Sequence, residues 1–213
     1  MALSKVNFNS MNVTPAASKA IKFNSSNNGL ETGDLGGALV LISEQTASSS
    51  ANISFTSGID STYKEYIFKF IDIHPSANAT FNFNMSVDGG SNYNVAKTTT
   101  MFNAFHNEAD DNNDLGYRAG QDEAQSTGLA QITDDINTDN DVSAVGTFHL
   151  FNPASTTFVK HYMATTQHYH NNAFSMNAFS AGYGNTTSAV DAIQFSMSSG
   201  NIDAGTIKMY GVS

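Results

Sequence analysis

The strongest regularity in the chain is alternation. Phe81, Phe83, Met85 and Val87 alternate with Asn82, Asn84 and Ser86, which predicts a half-buried strand. Asp88-Gly89-Gly90-Ser91-Asn92 then predicts a turn. Upstream, Ala38 to Ile42 reads as a short, fully apolar strand, and Asn52 to Thr56 alternates. Tyr66, Phe68 and Phe70 share one side of a strand while Ile67 and Ile71 share the other, as in a central strand covered on both faces. Downstream strands are predicted over 95–105, 146–151, 157–169, 174–183, 192–197 and 206–212, with Asn152-Pro153 breaking one of them. One helix is predicted near Asp122 to Ile136, where Leu129, Ile132 and Ile136 fall at i, i+3 and i+7, although Thr127 and Gly128 oppose it.

Eight to ten short strands, Gly/Asn/Ser turns and no βαβ alternation predict an all-β chain. The expected fold is an antiparallel β-sandwich of jelly-roll type over residues 38–213. Residues 1–37 scatter Val6, Phe8, Val13, Ile21, Phe23, Leu30 and Leu35 among Asn, Ser and Gly with neither period. They predict an extended N-terminal arm that orders by packing on a neighbour, the alternative being the first strands of the same sandwich.

Composition narrows the function. The chain has 213 residues, no Cys and no Trp, so disulfide scaffolds, thiol catalysis and cysteine zinc sites are excluded. The apolar runs are too short for a membrane-spanning helix, and the N-terminus lacks the apolar stretch of an ordinary signal peptide. Nine basic residues against nineteen acids give a net charge of −10, which argues against nucleic-acid partners. Ten of those acids lie between Glu108 and Asp141, with Arg118 the one base among them. The remainder is a nearly neutral body rich in Asn, Ser and Thr, and the acidic stretch is expected to face solvent or a divalent cation.

Candidate chemistry is sparse. Asp110-Asp111-Asn112-Asn113-Asp114 begins like a calcium loop, but Leu115 stands where an EF-hand needs Gly, and Gln121 where it needs Glu. Asp110, Asp111 and Asp114 are therefore candidate ligands of an irregular Ca²⁺ site, with Asp134, Asp135, Asp139 and Asp141 as further oxygen donors. No other cofactor is expected. His168 and His170 share a strand face at a spacing that can pinch a metal, and His161 joins them if alternation runs unbroken. Tyr117, Tyr169, Asn171 and Tyr183 are candidate glycan contacts, since phenols stack on sugars and amides hydrogen-bond to them. No G-x-S-x-G, H-E-x-x-H, P-loop or G-x-G-x-x-G occurs, so no enzyme is expected; a glycosidase has acid pairs available but no Trp to line a sugar groove.

Ser54-Phe55-Thr56-Ser57-Gly58-Ile59-Asp60-Ser61-Thr62-Tyr63-Lys64-Glu65-Tyr66 resembles a signature of bacteriophage virion proteins, closest to those of phages of marine bacteria, cyanophages included. The resemblance extends to Ile73-His74-Pro75, to Ser86-Val87-Asp88-Gly89-Gly90, to Leu150-Phe151-Asn152-Pro153 with Thr157-Phe158-Val159-Lys160, and to the ending Ser199-Gly200-Asn201-Ile202-Asp203-Ala204-Gly205-Thr206-Ile207-Lys208-Met209-Tyr210-Gly211-Val212. It covers roughly residues 38–213. It implies a non-enzymatic particle component of the capsid surface or tail fibre with a jelly-roll-like sandwich, and it supplies no catalytic residues. The expectation is a virion structural subunit. Its arm would bind other virion proteins, its copies would form a homo-oligomer with three favoured, and a host-surface glycan is the alternative ligand.

Overall fold

The period-two signal governs the architecture. The computed structural model describes residues 13–14, 19–26, 28–33 and 38–213, and among these every regular element is a strand. The arm positions Val6, Phe8 and Leu35 lie outside the described residues.

The chain divides into two units, the first from residue 1 to 38 with Ser213, the second from Leu39 to Val212. The described part of the first is a hairpin, β1 (Ala20–Phe23) antiparallel to β2 (Leu30–Gly33). Its turn closes through Asn24, whose backbone N–H donates to the Gly29 carbonyl at 2.9 Å and whose amide donates to Asn28 Oδ1 at 2.9 Å. Asn supplies these bonds locally, so a segment without a clean hydrophobic period still pairs. The hairpin is a separate two-stranded sheet.

The second unit is an antiparallel β-sandwich. Its strands are β3 (Leu39–Thr46), β4 (Ile53–Phe55), β5 (Glu65–Pro75), β6 (Phe81–Ser86), β7 (Lys97–Asn107), β8 (Asn113–Tyr117), β9 (Ala130–Gln131), β10 (Ala144–Phe151), β11 (Lys160–His170), β12 (Phe174–Gly184), β13 (Ala192–Met197) and β14 (Ile202–Val212). Eight form one sheet in the order β3-β14-β5-β10-β11-β12-β7-β8, and four form the other in the order β4-β13-β6-β9. Aromatic side chains fill the space between them. Phe195 of β13 sits within 6.4 Å, centroid to centroid, of Phe55, Phe68, Phe70, Phe81 and Phe148. Phe83 and Tyr162 extend the cluster, with Tyr162 stacked on Phe148 at 5.1 Å. Alternation places these rings on one side of each strand, and burial of so many rings is the principal source of the sandwich's stability.

Four expectations are corrected. β5 is covered on one face only: Tyr66, Phe68 and Phe70 are buried, but Ile71 remains 39% exposed, since among the described residues of this unit no second layer covers that side of the large sheet. β3, expected to be a buried apolar strand, is the edge strand of the large sheet, with Leu39, Val40 and Leu41 exposed. β6 is buried on both faces: Asn84 uses its amide on the Tyr93, Thr127 and Gly128 carbonyls as loops fold over its polar side.

The helix predicted near 122–136 is absent. Ala130 and Ile132 are buried in extended backbone, and Ile136 pairs with Ala79 through its backbone N–H and carbonyl. The i, i+3, i+7 spacing of its apolar residues coincides with a period-two bury from Ala130. The carbonyls of Thr127 and Gly128, which a helix needs as acceptors, are occupied by Asn84 and Lys97.

Candidate functional site

The acidic stretch has two parts. Residues 108–112 form the turn between β7 and β8, whereas 118–136 lies along the inward side of β7, β12 and β11 and supplies β9, the edge strand of the smaller sheet. The sheet holds this segment with side chains. Thr99 accepts from the Glu123 N–H at 2.8 Å, Ser180 donates to the Gln131 carbonyl at 3.1 Å, and Thr166 donates to the Ile132 carbonyl at 2.7 Å. The expectation that the whole stretch faces solvent is thus corrected: Ala130, Ile132, Thr133 and Ile136 are buried, because a loop with hydroxyls to satisfy its backbone can serve as a cover for sheet.

Lys97 anchors that cover. Fully buried, it donates to Asn84 Oδ1 at 2.7 Å, the Val95 carbonyl at 3.0 Å and the Gly128 carbonyl at 2.7 Å. All three ammonium protons therefore have neutral acceptors. Burial lowers its pKa to about 8, opposed by the Glu123 charge. Arg118 is likewise structural: its Nε donates to Asn103 Oδ1, its Nη2 to Asp114 at 3.3 Å, and its guanidinium lies 5.7 Å from the Phe105 ring centroid. Phe105 stacks on Phe174, and Phe174 on His170.

The candidate calcium ligands each have a local partner. His106 Nε2 lies 3.0 Å from Asp110, Asn107 donates to Asp111 at 2.6 Å, and Arg118 donates to Asp114. Asp135 and Asp139 accept from Asn171 and Asn137. Among the described residues no group of three or more His, Asp or Glu is placed to hold a metal ion.

His168 and His170 do share the inward face, with ring centroids 6.4 Å apart. Alternation runs unbroken along β11, and it turns His161 to the opposite, outward face, because seven residues of a period-two pattern reverse the side. His170 Nδ1 accepts from the Asn172 N–H at 3.1 Å, and its Nε2 lies 4.0 Å from Asp134. Neither ring nitrogen of the buried His168 has a hydrogen-bond partner among the described residues. Burial, then the neighbouring His170, lowers its pKa to about 3.

The candidate glycan contacts do not converge. Tyr183 pairs with His161 at one end of β11, while Tyr169 stands eight residues along the same strand, about 26 Å away at strand rise. Tyr117 lies on edge strand β8 opposite Phe102 and donates its hydroxyl to Asp122. Asn171 sits in the β11–β12 turn. Two adjacent clefts occur near Tyr169. One, of about 500 Å³, is lined by Asp72, His74, Asp141 and Asp203, and the other, of about 450 Å³, by Glu108, Asp139, Asp141 and Tyr169. A paired irregularity shapes the first: Asp72 (φ 51°) in β5 faces Gly205 (φ 119°) in β14, where the register slips between Ala204 and Thr206. A Cβ at Gly205 would meet the Asp72 carbonyl at 2.6 Å, so only glycine fits there. Burial, then Glu108, raises the Tyr169 pKa.

The outward face of the large sheet is the feature that motif reading missed. One cross-strand row runs Tyr117, Phe102, Phe179, Thr165, Thr147, Lys69, Lys208, Glu44 from edge to edge. Charge begins only at β5. On β8, β7, β12, β11 and β10 no outward position is Asp, Glu, Lys or Arg. The signal was present in the sequence: from Val142 to Val190 the one residue of these four types is Lys160, and it is buried.

No family model, no curated protein and no solved structure matches the chain.

Proposed function

We propose that the chain is a non-enzymatic structural subunit of a bacteriophage virion, carried on the capsid or tail as a decoration or fibre component. The observation that supports this reading best is the strand order. Numbering β3, β4, β5, β6, β9, β10, β13 and β14 one to eight in chain order, the core of the large sheet reads one-eight-three-six and the small sheet two-seven-four-five. That order is the one expected of a jelly roll and supports reading the sandwich as one, an architecture used by viral capsid and lectin domains. β11, β12, β7 and β8 widen one sheet beyond it. Fold alone does not imply function, and the functional half of the proposal rests on the virion-like stretches at 54–66 and 199–212. In this reading residues 1–38 attach the subunit to other virion proteins, and the sandwich associates with its own copies.

The test is to assemble particles of the encoding phage with a chain lacking residues 1–38. The shortened chain is expected to melt at the temperature of the full one and to be missing from purified particles. Incorporation at the full chain's level contradicts the attachment role.

A second reading, a carbohydrate-binding module of a tail fibre, is favoured by the clefts beside Tyr169, where carboxylates, an imidazole and a phenol line adjacent hollows. It predicts binding on a glycan array that Tyr169→Ala abolishes. A silent array contradicts it.

A further inference from the structure

We infer that the uncharged outward face of β10, β11, β12, β7 and β8 is a self-association surface, seated on the same face of a second copy of this chain in a two-fold dimer. The inference takes its purpose, though none of its geometry, from the structural-subunit reading.

Three observations converge on this occupant. The first is electrostatic. Each copy carries a net charge of −10, so most approaches between copies bring carboxylates together. The middle of this face brings none: the inner segment holding Glu123, Asp134 and Asp135 lies on the other side of the sheet, and the carboxylates that reach the face stand at its margins, Asp122 beside Tyr117, Asp110 on His106, Glu108 beside Tyr169 and Glu65 on His149. A polyanion or an anionic membrane would find no cation here to bind.

The second is apolar exposure. Met163 is 58% exposed, Phe102 41%, Phe179 37% and Leu115 70%, and Phe102 and Phe179 stack flat at 4.9 Å. Threonines fill the positions between them, so the face hydrogen-bonds without charge. Met163 projects from the wall of a hollow of about 150 Å³ that it lines together with Thr100, Phe102, Thr165 and Phe179. Knob and hollow adjoin on one surface, which is the self-complementarity that a two-fold contact requires.

The third is size. Five strands at about 4.8 Å spacing, overlapping for about 30 Å, give roughly 700 Å² per copy, near the roughly 800 Å² per partner of a stable interface. The two large sheets would then pack as sandwich sheets do, about 10 Å apart. A trimer needs two different patches meeting head to tail. One flat patch of this kind argues for two copies rather than the three expected from the sequence.

The experiment is sedimentation equilibrium of the full chain at micromolar concentration, beside Met163→Glu and the double variant Phe102→Ser/Phe179→Ser. Met163 is outside the core, so its variant is expected to keep the wild-type far-UV spectrum and a single cooperative unfolding transition, with a melting temperature lowered only by the stability the dimer contributes. The prediction is a wild-type dimer and a monomer for Met163→Glu and the double variant. A wild-type monomer, any other assembly, or a dimer that Met163→Glu leaves intact overturns the inference. The outcome is separable from the functional reading. Particles that incorporate a chain monomeric in solution overturn this face alone, whereas a Met163-dependent dimer absent from particles supports this face and overturns the virion reading.

Discussion

Phe195→Ala is expected to cost about 3–5 kcal/mol of unfolding free energy, read as a lower denaturation midpoint at unchanged slope. The magnitude follows from position. Phe195 is fully buried on β13, and five other phenylalanine rings surround it, three edge-on and one stacked. Two of those rings, Phe68 and Phe70, belong to β5 in the large sheet, and Phe81 belongs to β6 in the small one. Truncation therefore opens a cavity between the sheets, walled by rigid rings that cannot close on it. An exposed ring provides the control. Phe158→Ala, at a position 67% exposed, is expected to change stability by less than about 0.5 kcal/mol. Equal losses at the two positions contradict the assignment of the inter-sheet layer as the core.

Acid is expected to destabilise the fold through His168. Its pKa in the folded chain is about 3, against an ordinary 6.5. Between those values the unfolded chain binds a proton that the folded chain does not, so stability falls as pH falls from about 6.5 towards 3. Above 6.5 neither state binds it and the contribution is flat. The full change is roughly 3–5 kcal/mol. His168→Leu is expected to remove this component. At pH 7 it should cost little, because neither ring nitrogen gives up a hydrogen bond. Denaturation midpoints for both chains from pH 7 to 4 check the prediction. The midpoints should converge or cross as pH falls, with the wild type losing more. Parallel pH profiles contradict it.

The sequence made the strands legible wherever one face alone is buried. Phe81-Asn82-Phe83-Asn84-Met85 and Tyr66 to Phe70 appear as strands with the expected inward residues. What lies on the far side of a strand was not legible, because period two gives the two sides without saying which layer each meets. Ile71 thus turned out open, and Asn84 buried under loops. The 122–136 segment misled for a related reason: a few apolar residues in a row satisfy both periods, and the hydroxyls that fix the choice (Thr99, Thr166, Ser180) lie on other strands. The single-residue candidates fared according to their neighbours. Asp110, Asp111 and Asp114 form a recognisable oxygen-rich string, but each carboxylate is engaged by the side chain four residues away. Tyr117, Tyr169 and Tyr183 were chosen one by one for chemistry that depends on their being together, and strand register spreads them along the sheet. The uncharged face was written plainly in 142–190 as a shortage of charge, a signal that motif reading passes over.

The central proposal is that the chain acts as an assembled part of a virion. Cryo-electron microscopy of purified particles of a phage that carries the gene for this chain tests this most directly. The prediction is density for the sandwich in symmetric copies on the capsid or tail, with the 20–33 hairpin against another virion protein. Particles without the chain in density or in their protein content, or a purified chain that turns over a substrate, would contradict it.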